Sequence, residues 1–178
     1  MLVTDLNTIR KRAEACEEEN VAFRGYVKCE LDWDDERFDA MVHDIAWEVM
    51  AGVDCARCGN CCKTMQAGLT AADIHRLAAH LRLSPAEFTA RYVVKDFAGD
   101  AMLGAMPCPF YAEQHCTVKD VCPTSCRDYP NLLKKDMRAR MLSMIFGAAD
   151  CPIIFNTLER LKEAVGWRSR SHARSPLR

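Results

Sequence analysis

The 178-residue sequence has no apolar run near the ~20 residues that a membrane-spanning helix needs. No membrane partner is expected. Its opening stretch, MLVTDLNTIRKRAEACEEEN, has no apolar core followed by a small-residue cleavage site. A secretory signal is therefore not expected, and a cytoplasmic location is. Glycine is scarce, with eight residues. There is no G-x-S-x-G elbow, phosphate loop or dinucleotide fingerprint, and the acidic run ELDWDDERFD lacks the spacing of a calcium loop. With no catalytic motif, the reading leans away from an enzyme. Net charge is only −1, so no strong attraction to nucleic acid is expected. That charge is uneven: residues 1–50 carry 13 acids and 6 bases, net −7. Disorder of the whole chain is excluded, because 49% of the residues are apolar.

Cysteine is what the chain has in excess, with eleven residues. In a reducing compartment such a count favours metal or redox chemistry over a disulfide framework. Eight of them form two groups. The first, in CARCGNCCKT, is Cys55, Cys58, Cys61 and Cys62. The second is Cys108, Cys116, Cys122 and Cys126, and Cys151 follows one helix later. A C-x2-C step lets two sulfurs converge on one soft cation, and thiolate suits zinc, Cu(I) or an iron–sulfur cluster. Gly, Asn and Lys between the thiols are not core residues. Cys16 and Cys29 stand apart and read as ordinary packed thiols.

The adjacent pair is the unusual feature. In a loop with extended backbone, neighbouring side chains point opposite ways. Cys61 and Cys62 are then expected to serve two ions, or one thiolate to bridge them. A single all-thiolate zinc takes four cysteines, so the count also suits a polynuclear site. Arg57, Lys63 and Arg127 are the expected counter-charges. An iron–sulfur reading has partial support, because C-x2-C-x2-C opens a ferredoxin motif, but its C-x3-C-P continuation is missing. Among the histidines, His115 beside Cys116 is a candidate ligand or hydrogen-bond partner of one. His43, His75 and His80 read as helix residues, and His172 lies in the tail.

Around these groups the pattern is mainly helical. Residues 4–19 predict a helix, and VAFRGYVKCELDW reads as a loop or short extended piece. Asp34 or Asp35 begins a helix carrying Phe38, Met41, Val42, Ile45 and Val49 on one face, and Gly52 ends it. Residues 53–69 read as a loop. Thr70 with Asp73, and Ser84 with Pro85 and Glu87, predict two capped helices. Residues 95–107 read as loop, and CPFYAEQHCTV as a short hairpin with Phe110–Tyr111 opposite Cys116–Val118. Helices over 131–147 and 152–166 complete the chain. The expected organisation is an N-terminal helical segment (1–52), a cysteine-cluster metal-binding domain (53–166) and a basic flexible tail (167–178).

CARCGNCC, LTAADIHRLAAHLRLSPAEFTARYV, CPFYAEQHCTV, CRDYP and the Cys-Pro of residues 151–152 together resemble the YkgJ-type cysteine-cluster family of zinc- or iron-chelating domains. The resemblance covers residues 53–155. It implies metal ligands at Cys55, Cys58, Cys61, Cys62, Cys108, Cys116, Cys126 and Cys151. Cys122 stands where the family usually has Arg before Pro, Tyr129 replaces a common Phe, and the Gly usual after Cys-Pro is missing at residue 153. Residues 1–50 have no counterpart in it. The resulting expectation is a small, mainly α domain with cysteine-rich loops and a short β-hairpin around a zinc or iron site. Its alternatives are an iron–sulfur protein in electron transfer or catalysis, and a zinc-shaped interaction module.

Overall fold

The computed structural model describes residues 1–168; the expected tail beyond Arg168 lies outside the described residues. The chain opens with α1 (Leu6–Ala15), α2 (Glu17–Cys29) and α3 (Asp35–Ala51). Two short helices follow, α4 (Cys55–Cys58) and α5 (Asn60–Thr64), then α6 (Ala71–His80) and α7 (Pro85–Tyr92). Strands β1 (Val93–Lys95) and β2 (Ala101–Leu103) form one antiparallel hairpin, β3 (Tyr111–Ala112) and β4 (His115–Cys116) another. A 3-10 turn at Lys119–Val121 leads to α8 (Thr124–Asp128), α9 (Met137–Gly147) and α10 (Pro152–Ala164). The protein is mainly helical, as its periodicity predicts.

Two compact units divide these elements. The helical unit is Met1–Val53 with the chain from Pro130 onward, and the cysteine unit is Asp54–Tyr129. In the helical unit α10 lies against α3, α9 and α1, and α9 also meets α2 and α3. The apolar stripe of α3 is buried at Phe38, Val42, Ile45 and Val49, where each side chain contributes roughly 1.5–3 kcal/mol. Asp34 caps that helix by accepting from the Arg37 N–H at 2.7 Å. Met41 on the same stripe is only half-buried, and Trp47 is exposed.

The segment read as ambiguous is α2. Asn20, Phe23 and Val27 are buried at helical spacing, and Glu17, Glu18 and Glu19 fill the first turn. Those acids favour the positive end of a helix; the expected helix over 4–19 takes them in, whereas the structure divides it at Cys16, and Val21, Gly25 and Val27 weaken the local propensity that follows. Arg138 of α9 then holds the end of this helix. Its guanidinium donates to the Val27 carbonyl, to the Trp33 carbonyl at 2.5 Å and to Asp35 at 2.7 Å. The penultimate helix starts at Met137, later than the expected residue 131, because Asn131 and Asp136 take left-handed backbone.

The cysteine unit has its own apolar core of Leu69, Leu77, Ala78, Phe88, Leu103, Phe110 and Val118. Both capping boxes form: Thr70 with Asp73 at α6, and Ser84 with Glu87 at α7, where Pro85 occupies the first turn. A hairpin replaces the expected loop at 95–107. Its turn is closed by Asp96, whose carboxylate accepts from the Ala98 and Asp100 N–H groups, each at 2.9 Å, with Gly99 at positive φ. Phe110, at the start of the second hairpin, packs on Phe88 and Tyr92 with ring centroids 6.3 and 5.1 Å apart.

Candidate metal centre

The stretch read as a loop, residues 53–69, instead forms two short helices with a left-handed hinge. α4 ends at Cys58, Gly59 takes φ 56°, and α5 begins at Asn60. Gly59 N–H donates to the Cys55 carbonyl and Met65 N–H to the Cys61 carbonyl. The hinge needs glycine for a second reason: a Cβ there would lie 2.1 Å from the Tyr111 hydroxyl oxygen.

Helical backbone overturns the expectation that Cys61 and Cys62 point apart. Successive helical side chains are about 100° apart rather than opposed. Here the Cys62 thiol donates a hydrogen bond to the Cys61 sulfur. That bond, with help from the Cys61 and Cys62 backbone N–H groups, holds the Cys61 thiol down to about 7 against the cost of burial. The same bond pushes the Cys62 thiol well up, because the pair keeps one proton between its two sulfurs.

Cys61 is the electrostatic hub of the unit. A negative charge on it raises the thiols of Cys55, Cys62, Cys108, Cys116 and Cys126. Burial is the largest cause of the upward shift at Cys55, Cys108, Cys116 and Cys126, and it takes Cys126 to about 12. Cys58 acts on Cys55, and Cys122 acts on both Cys116 and Cys126. All eight thiols of the unit thus belong to one network, Cys122 included. Cys151 belongs to the helical unit, where it is buried at the start of α10 with its N–H on the Gly147 carbonyl. The chain's eleven cysteines form no disulfide.

Three local devices bring the separate cysteine segments together. Cys108 N–H donates to the Cys62 carbonyl at 2.7 Å, tying the second group to the first. The β3–β4 register places Tyr111 opposite Cys116 and Ala112 opposite His115, with Glu113 and Gln114 at positive φ in the turn. Side chains alternate along a strand, so Cys116 and His115 occupy opposite faces. His115 is exposed, and a ring nitrogen lies 3.2 Å from the Glu113 carbonyl oxygen.

The third device is Asp73, which is fully buried. Its carboxylate accepts from Thr70 N–H and hydroxyl, from Thr124 N–H and hydroxyl, and from Arg76 at 2.5 Å. Arg76 also donates to the Val121 and Cys122 carbonyls. Burial alone would raise the Asp73 carboxyl, but the bonds from Thr70 and Thr124 reverse this and hold it below the ordinary carboxylate range. The sequence marks Asp73 only as a capping residue. Its second role, fixing the segment that carries Cys122 and Cys126, depends on Thr124, 51 residues away. Lys119 is the other residue the sequence did not single out: its positive charge favours the thiolates of Cys55 and Cys116. Of the expected counter-charges, Lys63 sits 5.4 Å from the centre of the Tyr111 ring.

No three Cys, His, Asp or Glu side chains among the described residues already close around one point. The donor set nevertheless fits a thiophilic metal. Eight sulfurs share one small unit, several feel one another's charge, and a lysine offsets that charge. Soft thiolates select zinc, Cu(I) or iron–sulfur chemistry over magnesium or calcium. When bound, the metal keeps its thiolate ligands deprotonated at neutral pH. Among the described residues, no helix is long and apolar enough to cross a membrane.

No curated protein and no solved structure matches the chain. A family model does match, over residues 54–144, which takes in every cysteine of the cysteine unit and stops short of Cys151. The chain therefore belongs to the CxxCxxCC family, described as "Putative zinc- or iron-chelating domain".

Proposed function

We propose that this chain is a cytoplasmic protein that holds zinc or iron in a polynuclear, thiolate-rich site. The observation that carries the reading is that eight cysteines lie within the one compact unit Asp54–Tyr129, twice the four ligands of one tetrahedral ion. The ligands proposed are Cys55, Cys58, Cys61, Cys62, Cys108, Cys116 and Cys126, with Cys122 joining them. The sequence resemblance adds Cys151. The stored or structural ion serves stabilisation, buffering or delivery.

Anaerobic purification, visible absorption and assays for zinc, iron, copper and acid-labile sulfide test this reading. The expected result is zinc or iron bound at more than one ion per chain. A brown protein with stoichiometric sulfide would identify an iron–sulfur protein instead. A single zinc would refute the polynuclear site, and a metal-free chain that folds normally in chelator would refute chelation itself. Metal content of Cys122→Ser and Cys151→Ser, measured side by side, assigns the two disputed thiols.

A further inference from the structure

Tyr111 carries an unsatisfied group. Its hydroxyl is shut off from solvent and has no hydrogen-bond partner among the described residues. A buried hydroxyl in that state costs free energy unless something in the working protein accepts its proton. The ring does not belong to the apolar core. Phe110, the preceding residue, packs there.

Tyr111 lies against the backbone of the cysteine segments. Tyr111 N–H donates to the Cys108 carbonyl at 3.0 Å, and Cys116 is its partner across the hairpin. The hydroxyl lies directly over Gly59, where a Cβ would be 2.1 Å from the oxygen. Gly59 is the hinge between Cys58 and Cys61, so the O–H sits at the turn where the first group of thiols changes direction. The Lys63 ammonium 5.4 Å from the ring centre adds a positive charge beside it. No sulfur among the described residues stands in hydrogen-bond geometry with the hydroxyl, whereas a thiolate drawn onto a metal at this turn would offer lone pairs and a negative charge.

We propose that Tyr111 is a positioning residue of the metal centre, whose hydroxyl donates a hydrogen bond to a metal-bound thiolate of the Cys58–Cys61 turn. This rests on the chelating function proposed above. The hydroxyl has no acceptor among the described residues, and a metal-bound sulfur at this turn would supply one. Groups that hydrogen-bond a metal ligand from outside typically change metal affinity by about 10- to 100-fold when removed.

The test is Tyr111→Phe in the full chain, which keeps the ring and removes only the hydroxyl. Three measurements are made on variant and wild type. These are zinc affinity by competition with a chromophoric chelator, the absorption spectrum after cobalt(II) substitution, and thermal unfolding of the metal-free protein. The expected result is zinc affinity weakened about 10-fold or more. The sulfur-to-cobalt charge-transfer band moves to lower energy, because a thiolate without its donor gives up electrons more readily. The metal-free variant melts no lower than the metal-free wild type.

Unchanged zinc affinity and an unchanged cobalt spectrum, in a protein whose wild type binds both metals, would overturn the role of Tyr111 alone. So would a metal-free variant that melts lower or fails to fold, since the hydroxyl would then have a partner without metal. A wild-type chain that takes up neither zinc nor cobalt would overturn the chelating function and this role together.

Discussion

The Asp73 carboxylate joins two segments through one buried group, so its loss has two consequences. Replacing it with alanine leaves the Thr70 and Thr124 N–H groups and Arg76 without their acceptor. Chemical denaturation is expected to show Asp73→Ala destabilised by roughly 3 kcal/mol. The variant also retains less metal, because the Cys122–Cys126 segment loses its anchor. The pH dependence has a definite sign. The folded carboxyl titrates below its ordinary 3.8, so its contribution is complete above that pH and is lost as pH falls through the lower, folded value. An acid titration of stability should therefore show a component below pH 3.8 in the wild type that is missing in Asp73→Ala. Gly59 is the second sensitive position. Alanine there combines a left-handed backbone with contact against Tyr111, and a loss of roughly 2 kcal/mol is expected from thermal unfolding.

Helices α6 and α7 were readable in advance because everything that starts them lies within four residues. Thr70 with Asp73 and Ser84 with Glu87 are complete local signals. Ser84→Ala should cost about 1 kcal/mol in unfolding measurements while leaving metal content unchanged, since α7 carries no cysteine. The start of α9 is different. Its first N–H groups, on Asp136 and Met137, donate to Asp39 of α3, at 2.9 and 2.8 Å. A cap borrowed from 97 residues away leaves no mark in the local sequence. Gly25 hid α2 for a local reason: it lowers helix propensity, and nothing among the described residues lies within 4 Å of where its Cβ would be. Gly25→Ala is therefore expected to raise stability by about 0.5–1 kcal/mol in denaturant titrations. The β1–β2 hairpin was missed because its strands are three residues each and its turn depends on one aspartate side chain.

At the scale of the whole molecule, the two units are expected to depend differently on metal. The helical unit buries long apolar stripes from five helices. The cysteine unit has a core of seven buried apolar residues, with its thiol-bearing segments in short helices and two-residue strands. Metal bound at the proposed site would add its binding energy to the folding energy of this unit. Hydrogen exchange before and after chelator treatment should show protection lost over residues 54–65 and 108–128 and kept in α3 and α10. Equal loss in α3 and α10 would contradict this division.

By itself the sequence determined that the protein is mainly helical, that a capped helix pair follows the first cysteine group, and that soft-metal chemistry dominates its unusual composition. These follow from local rules: apolar spacing, cap residues and the ligand preferences of thiols. The tertiary structure decided that CARCGNCC is helical on both sides of a left-handed glycine, and that Cys61 and Cys62 hydrogen-bond each other. It also decided that Cys122 joins the thiol network and that Asp73 holds the segment carrying it. The reason is common to all four. Each depends on groups brought together across dozens of residues, or on the short helices that the left-handed Gly59, packed against Tyr111, joins.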